Sequence, residues 1–250
     1  VLKWMIASTA KCRCGRCRRI EELEKKLAAM QEQLAQLETS AVSSVWSSDT
    51  FNYLAIGNSL TVHEQCSYWW NEIGMAASDA EHDYFHIVRR NLERRFGKVT
   101  AHTFPFYAWE ITEHDRDQTL GVLDKMLDDR LSLVTVQLGE NVKDFTTFEE
   151  DYVSLIEHIK RKTRGRAQII VVGDFWREDP VRSAAAKKCG VAYISLEEAH
   201  SDPKYRSRIG AVVFDAEGKR HTVNHAGVAK HPGNEGMAFI AAKILKKVGK

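Results

Sequence analysis

The sequence predicts an α/β fold on a five-stranded parallel sheet, preceded by a separate helical rod. Three observations predict it. From residue 51 onward, short apolar runs of strand length alternate with stretches of helical periodicity. Gly57, Pro105 and Gly139 interrupt the chain just past the first three of those runs. A heptad pattern is confined to residues 18–39.

The strands are expected at residues 53–56, 99–104, 131–138, 168–172 and 191–195. The third is apolar almost throughout and is placed at the centre of the sheet. Helices are expected at 61–76, 82–96, 116–130, 147–163, 179–189 and 234–248. Phe85, Val88, Leu92 and Phe96 fall on one face of the second, and Leu120, Leu123, Met126 and Leu127 on one face of the third. Strands alternating with helices imply right-handed crossovers between parallel strands.

Ahead of the sheet lie three segments. Residues 1–17 are basic and carry Cys12, Cys14 and Cys17 as C-x-C-x-x-C. No fourth ligand lies nearby and the surrounding charge is positive, so no metal is expected. Inter-chain disulfides in an oxidising compartment fit better, and the basic neighbours make these thiols reactive. Residues 1–7 fit the remnant of a signal or membrane anchor, the edge of a longer chain, or a frayed start. A membrane tether there would favour the cell envelope over the cytoplasm. In residues 18–39, Ile20, Leu27 and Leu34 occupy a, and Leu23, Met30 and Leu37 occupy d, of a coiled-coil helix. A homo-oligomer through this rod is expected; the alternative is a helix lying on the following domain. Residues 40–50, rich in Ser, read as a linker, and residues 51–250 as the main domain. Cys66 and Cys189 are expected to be buried.

The composition narrows the function. A net charge of +2 and a pI near 8.2, with no aromatic-basic stripe, argue against a nucleic-acid partner. No Gly-rich phosphate loop and no G-x-G-x-x-G is present, so no nucleotide cofactor is expected. No apolar run is long enough to span a bilayer.

In a parallel sheet, the carboxyl ends of the strands share one edge, where ligands bind. Gly57-Asn58-Ser59, residues 105–110 and Gly139-Glu140-Asn141 follow the first three strands, and His231-Pro232-Gly233 precedes the last helix. Acyl transfer needs a nucleophile, a base and oxyanion donors. Ser59, His231 and the Asn141 amide supply these types. Taken singly, each has a plainer role: Ser59 as an N-cap, Asn141 in a turn, His231 as one of ten histidines. Their shared strand-end placement and chain order favour the joint reading.

At these residues the chain resembles the SGNH hydrolases, the GDSL-type esterases. Gly57-Asn58-Ser59-Leu60-Thr61 is similar to the family's first block, Gly-Asp-Ser-Leu, with Asn for Asp. Gly139-Glu140-Asn141 is similar to the third block, and His231-Pro232 to the Asp-x-x-His-Pro block. The resemblance covers roughly residues 50–248. It implies a three-layer α/β/α sandwich of flavodoxin-like order and a serine esterase without cofactor. It also implies an oxyanion hole from the Ser59 N–H, a second-block N–H and Asn141. Two departures stand out. No glycine occurs in residues 104–110, so Tyr107 or Ala108 must supply the second amide, and Ala108 is the one assigned. Val228 stands where the family has its aspartate. A main-chain carbonyl near Val228 is expected to orient His231, ahead of Glu235 or Asp174. His225 competes with His231 as base.

Phe104, Phe106, Tyr107, Trp109, Phe175 and Trp176 cluster beyond strand ends, as wall and core or as a sugar platform. Asn58, Trp109, Glu110 and Glu140 are assigned to substrate contacts. The expected substrate is a small acyl ester, with an O-acetylated carbohydrate as leading candidate. The alternatives are a binding or scaffold module on the same fold, and an O-acyltransferase using the same residues.

Overall fold

Side-chain alternation along the first strand divides the structure into layers. The computed structural model describes residues 45–112 and 114–249. In β1 (Phe51–Gly57), Tyr53 and Ala55 enter one apolar core while Leu54 and Ile56 enter another, the period-2 pattern of a strand buried on both faces. β3 (Leu133–Gln137) and β4 (Gln168–Val172) repeat it: Leu133, Ile170 and Val172 join the first core, and Val134, Val136, Ile169 and Val171 the second. With β2 (Val99–Pro105) and β5 (Ala192–Ile194), the sheet runs in the order β2-β1-β3-β4-β5, all parallel. The chain steps outward one way from β1 and then the other, so the switch point lies beside the end of β1.

The helices are α1 (Tyr84–Phe96), α2 (Tyr107–Ile111), α3 (Arg116–Thr119), α4 (Phe148–Lys162), α5 (Pro180–Lys188), α6 (Ala226–Ala229) and α7 (Asn234–Leu245). α1 and α7 cover the first face through Val88, Leu92, Ile240 and Ile244, and α4 and α5 cover the second through Leu155, Ile159 and Ala185. Each fully buried Leu or Ile contributes roughly 1.5–3 kcal/mol. Side chains set the helix starts. Asp83 accepts from His86 N at 2.7 Å, and Asp179 accepts from Arg182 N at 3.1 Å with Pro180 in the first position of α5. α4 opens on Glu149, Glu150 and Asp151 and closes on Lys160, Arg161 and Lys162, matching its dipole.

Several expectations are corrected. Residues 61–76 form no helix. Trp69, Asn71 and Ile73 are inside and Glu72 is exposed, and residues 73–77 are buried without a break, so no helical stripe faces the core. The segment runs out and returns, closed by His63 N to Ile73 O at 3.1 Å and Met75 N to Ser59 O at 2.8 Å. Residues 116–130 break into α3 and a 3₁₀ turn, Leu120–Lys125. Gly121 weakens helix there, and the buried Arg116 ties the start of the segment to the carbonyls of Trp109 and Glu110, both at 3.2 Å. The expected linker is already part of the fold at Trp46, whose buried ring donates from Nε1 to Met126 O at 2.7 Å. Cys189 is buried, whereas Cys66 is only half-buried. A small hairpin, β6 (Val212–Phe214) with β7 (Arg220–Thr222), has no counterpart among the expected elements. Asn71 Nδ2 fastens it to the 61–76 segment through Phe214 O at 2.9 Å.

The coiled-coil helix expected at residues 18–39, the Cys12, Cys14 and Cys17 segment and residues 40–44 of the expected linker lie outside the described residues. Among the described residues, no helix is long and apolar enough to cross a membrane.

Candidate active site

The turn after β1 is built around a missing side chain. A Cβ on Gly57 would lie 1.9 Å from Thr61 Oγ1 and 3.0 Å from Gln137 O. Asn58 then organises the turn. Its carbonyl accepts from Thr61 N at 2.9 Å and Val62 N at 3.0 Å, and its Oδ1 accepts from Leu60 N at 3.1 Å. Ser59 sits between these bonds, and its N–H takes part in none of them.

His231 meets Ser59 from far along the chain, 172 residues on. The loop after α6 holds it, with His231 N donating to Val228 O at 3.0 Å and Ser207 N donating to His231 O at 2.8 Å. Its Nε2 lies 2.9 Å from Ser59 Oγ, and its Nδ1 lies 2.8 Å from the main-chain carbonyl of Gly227. A carbonyl only accepts, so Nδ1 carries the proton and the Nε2 lone pair faces the Ser59 hydroxyl. Burial pushes the His231 pKa down to about 4; the bond to Gly227 opposes this, and His63 and His225 nearby add to it. The Trp176 ring meets the imidazole edge-on, with centroids 5.3 Å apart, and its Nε1 donates to Lys230 O at 3.0 Å.

The other candidates for orienting or replacing His231 are engaged elsewhere. Asp174 is buried, accepts from Trp176 N at 2.7 Å and pairs with Arg177 and Arg182. Glu235 is exposed. His225 is exposed and stacks on Tyr68, with centroids 4.3 Å apart.

Two further groups complete this edge. Phe106 N donates to Gly57 O at 2.8 Å, carrying the β1–β2 pairing into the start of α2. The amides of Tyr107 and Ala108 lie in the first turn of α2, where a helix offers no internal acceptor. Among the described residues other than glycine, only Ala76 and Arg164 have a positive φ, so this turn works without the glycine of the resembled block. Asn141 lines the same cleft.

The four residues assigned to substrate contacts are relocated. Trp109 is fully buried, packed against Phe106, Phe148 and Tyr152. The Glu110 carboxylate is also fully buried. It accepts from Asn58 Nδ2 at 2.9 Å, from Asn141 Nδ2 at 2.7 Å and from the Gly139 N–H. Asn58 spends its second amide proton on Glu140 at 2.7 Å, which leaves no free donor for a ligand. The Glu140 side chain is buried against Arg182 Nη1 at 3.1 Å. Burial raises its pKa to about 7; Arg182 opposes this, Asp174 and Glu110 add to it, and the bond from Asn58 lowers it. Arg182 also meets Asp174, Asp179 and the Leu138 carbonyl. A buried ionic layer of Arg182, Glu140, Asp174 and Asp179 therefore lies beneath the site, and it takes in Glu140, one of the carboxylates that the sequence alone suggests for substrate contact.

The cleft measures about 500 Å³ and takes in Ser59, His231, Asn141 and Ala108. Phe104, Phe106 and Phe175 are buried, whereas Tyr107 is 50% exposed and lines the cleft. His63, Tyr68 and His225 form another wall. Sequence reasoning misses this wall because the apolar spacing in 61–76 suggests a helix. Among the described residues, no cluster of side chains is arranged to hold a metal ion.

Neither the protein-family models nor the curated proteins gave a match to the sequence. Solved structures did. A two-domain esterase (CEX) active on acetylated mannans superimposes with a TM-score of 0.51 at 14% identity, over 79% of this chain and 48% of that one. The same esterase co-crystallised with mannopentaose gives 0.51 at 13% identity, over 83% and 52%. TesA gives 0.48 at 14% identity, over 79% and 98%. The chain thus spans about half the length of the two-domain esterase. The likeness is one of fold: a layered α/β sandwich shared with the two-domain esterase.

Proposed function

We propose that this chain is a serine esterase of the SGNH type that removes small acyl groups from an acetylated carbohydrate. The contact that carries the reading is Ser59 Oγ to His231 Nε2 at 2.9 Å, with the far side of the imidazole held by Gly227 O. Ser59 Oγ attacks the ester carbonyl carbon while its proton passes to Nε2. The oxyanion accepts from the Ser59 and Ala108 amides and from Asn141 Nδ2. Collapse breaks the bond to the alcohol, which takes the proton from His231. Water then repeats the sequence and releases the acid. Gly227 O fixes the tautomer that an aspartate would fix. It brings only a partial negative charge to the imidazolium, so the rate falls below that of a full triad, where the acid is worth up to about 10⁴.

The carbohydrate part rests on the cleft wall and the neighbours. Tyr68, His225 and Tyr107 present ring surface beside Ser59, and the two-domain esterase of like fold is active on acetylated mannans. A homo-oligomer through residues 18–39 and a tether within residues 1–17 are part of the same proposal, supported by the heptads and the basic cysteine segment. A monomeric mass in light scattering of the full chain overturns the oligomer.

A fluorophosphonate probe followed by intact-mass analysis tests the chemistry. A single adduct on the wild type that is lost in Ser59→Ala is expected. Full hydrolysis of an aryl acetate by Ser59→Ala overturns the assignment. No adduct on folded wild type favours the binding-module alternative, which the missing aspartate motivates.

A further inference from the structure

Glu110 touches no cleft surface, yet it joins the loops that do. Its Oε1 accepts from Asn58 Nδ2 at 2.9 Å, from the Gly139 N–H and from Asn141 N at 3.4 Å, while Oε2 accepts from Asn141 Nδ2 at 2.7 Å. The donors stand after β1 and β3, and Glu110 itself stands in α2, after β2. These are three neighbouring strands of the sheet. One buried carboxylate thus ties three strand ends together directly behind Ser59 and Asn141.

We propose that Glu110 is a positioning residue for oxyanion binding, acting by fixing the orientation of the Asn141 amide. The inference rests on the serine-esterase reading above. An asparagine amide has two orientations of nearly equal shape, and only its partners choose between them. A carboxylate offers acceptors alone, so it holds Nδ2 inward. One Nδ2 proton goes to Glu110, and the second remains for an oxygen in the cleft that Asn141 lines. The same carboxylate holds Gly139 N, at a residue whose φ of +128° shapes the approach to Asn141. Glu110 in turn is fixed by Arg116, which donates to its carbonyl at 3.2 Å. Donors locked before the reaction need no reorganisation when the charge develops.

Glu110→Gln is the discriminating change. Its single oxygen is held where Asn58 Nδ2 and the Gly139 N–H converge, so the new amide group takes the place of Oε2 and Asn141 turns its own Nδ2 away. The test is a double-mutant cycle in aryl acetate hydrolysis, with melting curves for every variant. Asn141→Ala is expected to lower kcat about 10²-fold. Glu110→Gln should lower kcat at least about 10-fold with KM unchanged. In the Asn141→Ala background, Glu110→Gln should cost less than about 2-fold. An equal cost in both backgrounds makes Glu110 merely structural and overturns the proposal. Full activity of Asn141→Ala, in an enzyme that Ser59→Ala inactivates, also overturns it and leaves the esterase reading standing. Activity that survives Ser59→Ala removes both.

Should Glu110→Gln not fold, wild-type NMR decides. The Asn141 side-chain amide, identified by its loss in Asn141→Ala, should show one proton shifted downfield and slow to exchange. Two averaged, solvent-like protons overturn the proposal.

Discussion

The imidazole of His231 donates through Nδ1 to the main-chain carbonyl of Gly227, at 2.8 Å. Among the described residues no carboxylate takes this place: Val228 stands where the resembled block has its aspartate, and Asp174 belongs to the ionic layer. A peptide oxygen therefore sets the tautomer of the residue that faces Ser59. The arrangement has consequences for pH, for stability and for substrate choice.

Burial holds His231 neutral down to about pH 4. Protonation removes the base, so kcat/KM should rise with pH on a limb centred near 4, well below the ordinary imidazole value of 6.5. Stability has the same sign. The unfolded imidazole takes up its proton below about 6.5 and the folded one only near 4, so stability is complete above 6.5 and declines as the pH falls toward 4. A pH–rate profile with an aryl acetate and denaturant midpoints across this window check both. An activity limb centred at 6.5 contradicts the prediction.

Asn58 stands where the resembled block carries an aspartate, and its amide faces the carboxylates of Glu110 and Glu140. Asn58→Asp places a third carboxylate against two buried ones. A loss of roughly 3–5 kcal/mol is expected at pH 8, the scale of an uncompensated buried charge. Part of the loss should return at pH 5, where protonation relieves the repulsion. Urea unfolding at the two pH values measures this, and an unchanged midpoint at pH 8 counts against it.

Tyr68 and Tyr107 line the cleft and take no part in the Ser59–His231 hydrogen bond. Replacing either with Ala should raise KM for acetate release from an acetylated mannan several-fold, roughly 3- to 10-fold, as loss of one stacking contact does. Hydrolysis of a small aryl acetate should stay within about 2-fold of wild type. Parallel changes on both substrates would assign these rings to the chemistry rather than to sugar binding.

Much of the site is legible in the sequence because strand, turn and order are written locally. The apolar run ending at Gly57 places Ser59, the run ending before Gly139 places Asn141, and His231-Pro232 precedes a clear helix. The 61–76 segment misleads because its apolar spacing fits a helix, whereas its real partners, Ser59 O and Phe214 O, are main-chain groups that no side-chain pattern reveals.

The sequence by itself determined the layered α/β architecture and the shared edge on which Ser59, Asn141 and His231 stand. Both are legible because the alternation of apolar strand runs and helical stretches is written locally, although the strands that then pair lie tens of residues apart. Tertiary structure alone decided what each polar group does there. Glu110 and Glu140 look like surface carboxylates in sequence, but the amide that binds both, Asn58 Nδ2, is 52 and 82 residues away. Gly227 O is invisible in sequence for a different reason: every residue carries a carbonyl, and only the folded loop after α6 selects the one that meets Nδ1 of His231.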